Sequence, residues 1–358
     1  MSWKILIGGV LFLPLALYTG LYVTACFFYA VPRYSGPVSD HFDGRKFHNP
    51  EAVVRPRGTG RFLFTRLWKY LVRAVQDRPE PGWPVWIDDA PGSPPPQRVS
   101  GLRVTFVNHA TLLIQMEGVN ILTDPQWSKR ASPVSWAGPK RHRAPGIRFE
   151  DLPPIDLVLI SHNHYDHMDL PTLRRLIAVG HPRLVTPSGN EAFLKSKGIP
   201  SKEIDWWQSV TLPGGLRVTS VPAQHFSARS VNDRDNALWG GFVVQGKKES
   251  VFFAGDTGYG PHFTEIGRRY PRIRVALLPI GAYLPRWIMK PVHLSPEEAV
   301  QADLDLGAQM AIPMHYGTFK LSDEGIDEPV KDLHQALERL GSRAPAFVVL
   351  KPGEGKDL

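Results

Sequence analysis

An apolar run, Asp156-Leu157-Val158-Leu159-Ile160-Ser161, leads without a break into His162-Asn163-His164-Tyr165-Asp166-His167. Three imidazoles and a carboxylate within six residues offer nitrogen and oxygen lone pairs to divalent cations. At a strand's end, residues two apart project the same way, so His162 and His164 can grip one metal. Past the turn, Asp166 and His167 become available to a second. Such a cluster is costly to desolvate unless ions organise it. With 13 histidines in 358 residues, the pattern arises by chance roughly once in a thousand such chains. A solvated, histidine-rich loop is the competing reading, and the strand feeding directly into the cluster argues against it. The single cysteine, Cys26, excludes an internal disulfide and a cysteine-built zinc site. Any metal must be held by His, Asp and Glu.

The elements that position this cluster follow from hydrophobic patterning. Leu102–Met116 and Val119–Thr123 read as two strands around a turn at Glu117-Gly118, and Asp156–Ser161 as a short buried strand. Leu170–Val179, Pro296–Leu306 and Pro329–Leu340 read as helices, the second opened by Ser295 as cap and Pro296 as first residue. Arg217–Pro222, Gly241–Val244, Ser250–Ala254 and Val275–Pro279 read as further strands. Strands mixed with helices over this length predict a layered α+β domain. With 42% hydrophobic and 21% charged residues the chain is globular rather than disordered.

Upstream, the texture differs. Ile5 to Val31 carries no charge, and as a helix it would reach ~40 Å against a hydrocarbon core of roughly 30 Å. An uncleaved membrane anchor is expected, with a lipoprotein-like box at Val23-Thr24-Ala25-Cys26 as the alternative. Lys4 precedes the span while Arg33, Arg45 and Lys46 follow it, which predicts a cytoplasmic C-terminal part at a bacterial inner membrane. Between Pro32 and Val75, nine Lys or Arg against three acids supply +6 of the net charge of +8. Such a surplus beside an apolar span favours anionic lipid head groups, and no nucleic-acid module accompanies it. Phe62–Val75 reads as a basic amphipathic helix, and Pro79–Pro96 as a stiff, extended connector rather than a packed one. The expected organisation is therefore an anchor (1–31), a basic juxtamembrane region with connector (32–98) and a hydrolase domain (99–358).

The His162–His167 segment resembles the signature of the metallo-β-lactamase superfamily. Neighbouring stretches resemble N-acyl-phosphatidylethanolamine-hydrolysing phospholipase D and its bacterial relatives. They include Thr105-Phe106-Val107-Asn108-His109-Ala110-Thr111, Leu122-Thr123-Asp124-Pro125, Gly138-Pro139-Lys140-Arg141 and Asp205-Trp206-Trp207. Phe253-Ala254-Gly255-Asp256-Thr257-Gly258-Tyr259, Pro279-Ile280-Gly281-Ala282-Tyr283 and His315-Tyr316-Gly317-Thr318-Phe319 fit as well. The resemblance spans about Val99 to Glu354. It implies a four-layer αβ/βα sandwich and two zinc ions. His225 would join His162 and His164 at the first, His315 would join Asp166 and His167 at the second, and Asp256 would bridge them. His109 and Asp124 would orient ligands or loops.

The resemblance also implies the reaction. Two zinc ions acidify a shared water and offset charge on the oxygen under attack, so no Ser or Cys nucleophile is needed. His293 matches a histidine that lies at the substrate phosphate, as acid or phosphate contact. The phospholipase pattern has glutamine just before it, where this chain has Val292. The implied activity is cleavage of a membrane phospholipid to an N-acylethanolamine and phosphatidic acid. Two rivals are a lactone, β-lactam or soluble phosphodiester hydrolase on the same metals, and a non-catalytic zinc-binding membrane scaffold. The sequence leaves the oligomeric state open.

Overall fold

The structure is a computed structural model that describes residues 20–21, 23–24, 28–52, 60, 65, 82–89, 92–212 and 214–358. Its strands are β1 (Leu102–Asn108), β2 (Thr111–Met116), β3 (Val119–Thr123), β4 (Leu157–Leu159), β5 (Arg183–Pro187), β6 (Lys202–Ile204), β7 (Ser209–Thr211), β8 (Arg217–Val221), β9 (Gly241–Gln245), β10 (Ser250–Phe253), β11 (Ile273–Pro279), β12 (Ala311–Met314) and β13 (Gly355–Asp357). They form two sheets, ordered β13-β1-β2-β3-β4-β5-β6 and β12-β11-β10-β9-β8-β7 among the described residues. The helices are α1 (Leu170–Gly180), α2 (Glu191–Ser196), α3 (His262–Arg269), α4 (Arg286–Met289), α5 (Pro296–Leu306) and α6 (Glu328–Leu340).

A period of two sorts the side chains. Leu112 and Ile114 on β2, Ile121 on β3, and Leu157 and Leu159 on β4 face a core shared with Val218, Phe242, Val244 and Leu277 of the second sheet. The alternate residues Leu113, Leu122 and Val158 pack with Leu173 and Leu176 of α1 and with Phe193 and Leu194 of α2. Phe263 of α3, Val300 of α5 and Leu333 of α6 join the shared core from the far side of the second sheet. The result is the expected four-layer sandwich. The helix α5 opens as predicted: Ser295 accepts from Glu298 N–H in a reciprocal capping box, Pro296 follows, and Gly307 closes it in the left-handed conformation.

One difference matters for the site. Leu102–Met116 is two strands, not one, folded back between Asn108 and Thr111, with His109 in the left-handed region at φ 49. No glycine marks this turn, so periodicity alone runs through it.

The described N-terminal residues lie against the domain. Phe42 and Phe47 are buried with Trp206, Leu238 and Trp239. The connector, expected to be extended rather than packed, is packed against the domain where described. Trp83 is buried and donates to the Glu324 carbonyl, while Ile87 N–H and Gly92 N–H bond to His142 and Gly146 carbonyls. Its backbone donors find acceptors in the domain, which proline content alone does not reveal. Most of Ile5–Val31 and all of Phe62–Val75 except Thr65 lie outside the described residues. Among the described residues no helix is long and apolar enough to cross a membrane.

Candidate metal centre

The parallel strands β4, β10 and β12 deliver their C-terminal ends, with that of β8, to one rim of the sandwich. His162 follows β4, His225 follows β8, Asp256 follows β10 and His315 follows β12. Loops at strand ends are free to carry function because the sheets below hold them rigidly. Gly255, at φ +62, makes one such approach possible. A Cβ there would meet Ser161 Cβ at 2.6 Å.

Three imidazoles meet in the first group. His162 Nε2 lies 2.8 Å from His164 Nδ1, and His225 Nε2 lies 3.2 Å from the same atom. The outer nitrogens fix the tautomers. His225 Nδ1–H donates to the Val292 carbonyl at 2.8 Å. Ser161 Oγ donates to Asp124 Oδ2 and accepts from His162 Nδ1–H at 2.9 Å. Both Nε2 lone pairs therefore aim inward, the arrangement that metal-holding histidines need.

The second group is built around two carboxylates. Asp166 Oδ2 lies 2.9 Å from His109 Nε2, 3.2 Å from His167 Nε2 and 3.4 Å from His315 Nε2. His167 Nδ1–H donates to Asp124 Oδ2 at 2.6 Å, which again turns Nε2 inward. Asp256 Oδ2 sits between the groups, 3.1 Å from His315 Nε2, 3.2 Å from His167 Nε2, 3.8 Å from His225 Nε2 and 3.9 Å from His293 Nδ1.

These groups fit divalent cations. His167 Nε2, His315 Nε2, His293 Nδ1 and Asp256 Oδ1 are buried without a hydrogen-bond partner. Such orphans are rare in native interiors, and here they converge. Four overlapping sets of His and Asp in this region could hold an ion: His162, His164 and His225; His109, Asp166, His167 and His315; Asp124, His162 and His167; and His225, Asp256 and His293.

Burial and opposed charge pull these groups in opposite directions. Desolvation drives His162 and His225 well below the ordinary imidazole value, His164 and His109 down to about 3, and His293 down to about 4. His167 and His315 are buried too, yet the facing Asp256 and Asp166 hold His167 well above that value and His315 up at about 9. Burial would raise the two carboxyls, but His167 and His315 keep them well below their ordinary range.

All seven residues expected to hold metal meet here, and His293 joins them beside Asp256. His109 and Asp124 orient neighbours through the bonds above. Sequence reasoning did not find Ser161, which links Asp124 to His162, or Asn49. The Asn49 side-chain amide pairs with both backbone groups of His225, donating to its carbonyl and accepting from its N–H, each at 2.8 Å. Gln224 and Glu51 exchange a similar pair. These contacts join residues some 175 positions apart, and no local pattern announces them.

A family model described as the beta-lactamase superfamily domain matches residues 119–316. An uncharacterised protein of Mycobacterium tuberculosis is 39% identical over 280 residues, 76% of this chain and 73% of its own length. The N-acyl-phosphatidylethanolamine-hydrolyzing phospholipase D 1 of Caenorhabditis elegans is 34% identical over 339 residues, 87% of this chain and 92% of its own. Among solved structures, Igni18, a metallo hydrolase from Ignicoccus hospitalis, shares the fold with a TM-score of 0.54 at 24% identity, over 72% of this chain and 98% of that one.

Proposed function

Because this chain belongs to the metallo-β-lactamase superfamily and is a metal-dependent hydrolase, we propose that it cleaves a phosphodiester of a membrane phospholipid with two zinc ions. One observation carries the metal half of this reading: inward-facing imidazole lone pairs, with tautomers fixed from behind, converge on a shared carboxylate. The substrate half is supported by 34% identity over nearly the whole of a relative named for N-acylphosphatidylethanolamine hydrolysis. The substrate is N-acylphosphatidylethanolamine and the products are an N-acylethanolamine and phosphatidic acid.

His162, His164 and His225 would hold one ion and Asp166, His167 and His315 the other, with Asp256 placed within reach of both groups. Bound there, zinc supplies Lewis acidity and brings the pKa of a water from 15.7 towards about 7. The chain's own groups do the rest. Asp124 locks the His167 ring by accepting its Nδ1–H, and the Val292 carbonyl does the same for His225. His293 faces the centre from beside Asp256 and donates a hydrogen bond or proton to the leaving oxygen. An apolar span within residues 1–31 holds the enzyme at the membrane with its domain on the cytoplasmic side, and the basic stretch of 32–98 faces the head groups.

Val292, in place of the glutamine of the phospholipase pattern, favours a second reading, hydrolysis of a lactone, β-lactam or soluble phosphodiester on the same metals. Metal analysis of the full chain, paired with hydrolysis of a phospholipid panel and a generic phosphodiester, decides between them. About two zinc per chain and release of N-acylethanolamine are expected. Turnover of the generic diester with no phospholipid cleaved would sink the first reading.

A further inference from the structure

A second concavity, cationic at part of its wall, flanks the turn that carries His162–His167. It has a volume of about 250 Å³ and is lined by Tyr165, Met168 and Asp169 of that turn, by Ser128, Lys129, Arg130 and Ser132, by Arg174 of α1 and by Arg229. With roughly 30 Å³ per water in the liquid, it has room for about eight waters or for a hydrated polar group. None of the seven residues assigned to metal lines it.

Its charge is lopsided. Lys129, Arg130, Arg174 and Arg229 all line it, and none lies within ion-pair distance of a carboxylate of the described residues. Lys129 and Arg174 are exposed, but Arg229 is only 4% exposed. An unpaired guanidinium is costly to bury. Arg229 is held by bonds from Nη1 to the carbonyls of Asn163 and Met168 and by stacking 4.1 Å over Tyr165, while Nε is buried with no partner.

The nearby acids are already committed. Asp169 accepts from Trp127 N–H, Ser128 N–H, Ser128 Oγ and Thr172 Oγ1. Asp233 accepts from the N–H groups of Val31, Arg229 and Ser230. The N-terminal end of α1, with Leu170 and Pro171 at the wall, adds its own partial positive charge.

We infer that this cavity binds a phosphate group, whose several acceptor oxygens match guanidinium forks, an ammonium and the Ser132 hydroxyl. The source is the head group of an anionic phospholipid. Tyr29, which also lines the cavity, lies where the chain leaves the apolar segment read as a membrane anchor. Only this choice of source rests on the membrane reading above. A head-group phosphate seated here holds the bilayer beside the turn that carries four of the seven metal-assigned residues.

The test is calorimetry on the full zinc-loaded chain in uncharged detergent, titrated with dihexanoylphosphatidic acid, dihexanoylphosphatidylcholine and inorganic phosphate. Phosphatidic acid should bind at least about ten-fold more tightly than phosphatidylcholine, and Lys129→Glu with Arg174→Glu should weaken it about ten-fold or more. Lys247→Glu with Lys248→Glu, an equal charge change at exposed residues elsewhere, should leave it within about two-fold. Inorganic phosphate that binds as tightly, and is as sensitive to the cavity pair, supports the phosphate site and overturns the lipid source. Anion affinity equal in wild type and cavity variant overturns the assignment. Should the double variant melt early, Arg174→Gln, at an exposed position, takes its place, with a several-fold loss of affinity expected. Hydrolysis of N-acylphosphatidylethanolamine on the same wild-type samples separates the two readings. Binding without hydrolysis refutes the phospholipase and leaves the cavity standing.

Discussion

One turn, residues 162–169, serves two concavities of opposite chemistry. His162, His164, Asp166 and His167 face the metal centre, where lone pairs lack donors. Tyr165, Met168 and Asp169 face the basic cavity, whose four cations have no carboxylate of the described residues within ion-pair distance. A metal ion completes the first and an anion the second. Each site is stable as a cavity only because the cost of its unmatched groups is offset elsewhere, by ion or ligand binding and by the sandwich beneath.

The sharpest way to break this contrast is at Asp256. Replacing Asp256 with Ala should reduce hydrolysis to the level of chelator-treated protein and lower the zinc content, measured by metal analysis beside a product assay. Retained activity would deny the carboxylate its shared role. His293→Ala should cost about 10²–10⁴ in kcat while the zinc content holds. A loss of metal with it would instead make His293 a ligand. Asp124→Ala frees the His167 and His162 rings to rotate, and should weaken metal binding about 10–100-fold in a competition titration.

The smallest effect comes from a buried carboxyl that belongs to neither concavity. Asp303 on α5 is buried with both oxygens unpartnered, and burial pushes it up to about 7 from 3.8. Between those values the folded protein binds more protons than the unfolded one, so stability falls as pH rises from about 4 to about 7. The loss is of the order of 4 kcal/mol at most, at 1.36 kcal/mol per pKa unit. Asp303→Asn should flatten that slope and leave the variant more stable than wild type near pH 8. Urea titrations at pH 4, 6 and 8 read the difference, and parallel slopes would mean that Asp303 is solvated.

Legibility in the sequence tracked distance along the chain. The His162–His167 cluster could be read directly because an apolar strand and four donors are contiguous. Asp256, His225 and His315 each follow an ordinary short strand, so only the family resemblance picked them out. The three-residue strands β6, β7 and β13 are set by their neighbours in the sheets rather than by propensity. His109 hid a turn because it takes a left-handed conformation that glycine or asparagine usually signals. The basic cavity was invisible for a plainer reason: its cations stand at 129, 130, 174 and 229, and no short pattern spans them.

The paired amide bonds of Asn49 to His225 set a lower limit on how far this protein can be trimmed. A chain begun at Val99 would keep every metal-assigned residue and nearly the whole sandwich. It would also leave the His225 N–H and C=O without their partner, at about 1–3 kcal/mol each if they stay buried. The loop would then have reason to sag, and with it the Nε2 that closes the first trio. Residues well outside the recognised family domain thus tension the catalytic rim, much as a guy rope holds a mast that stands on its own footing.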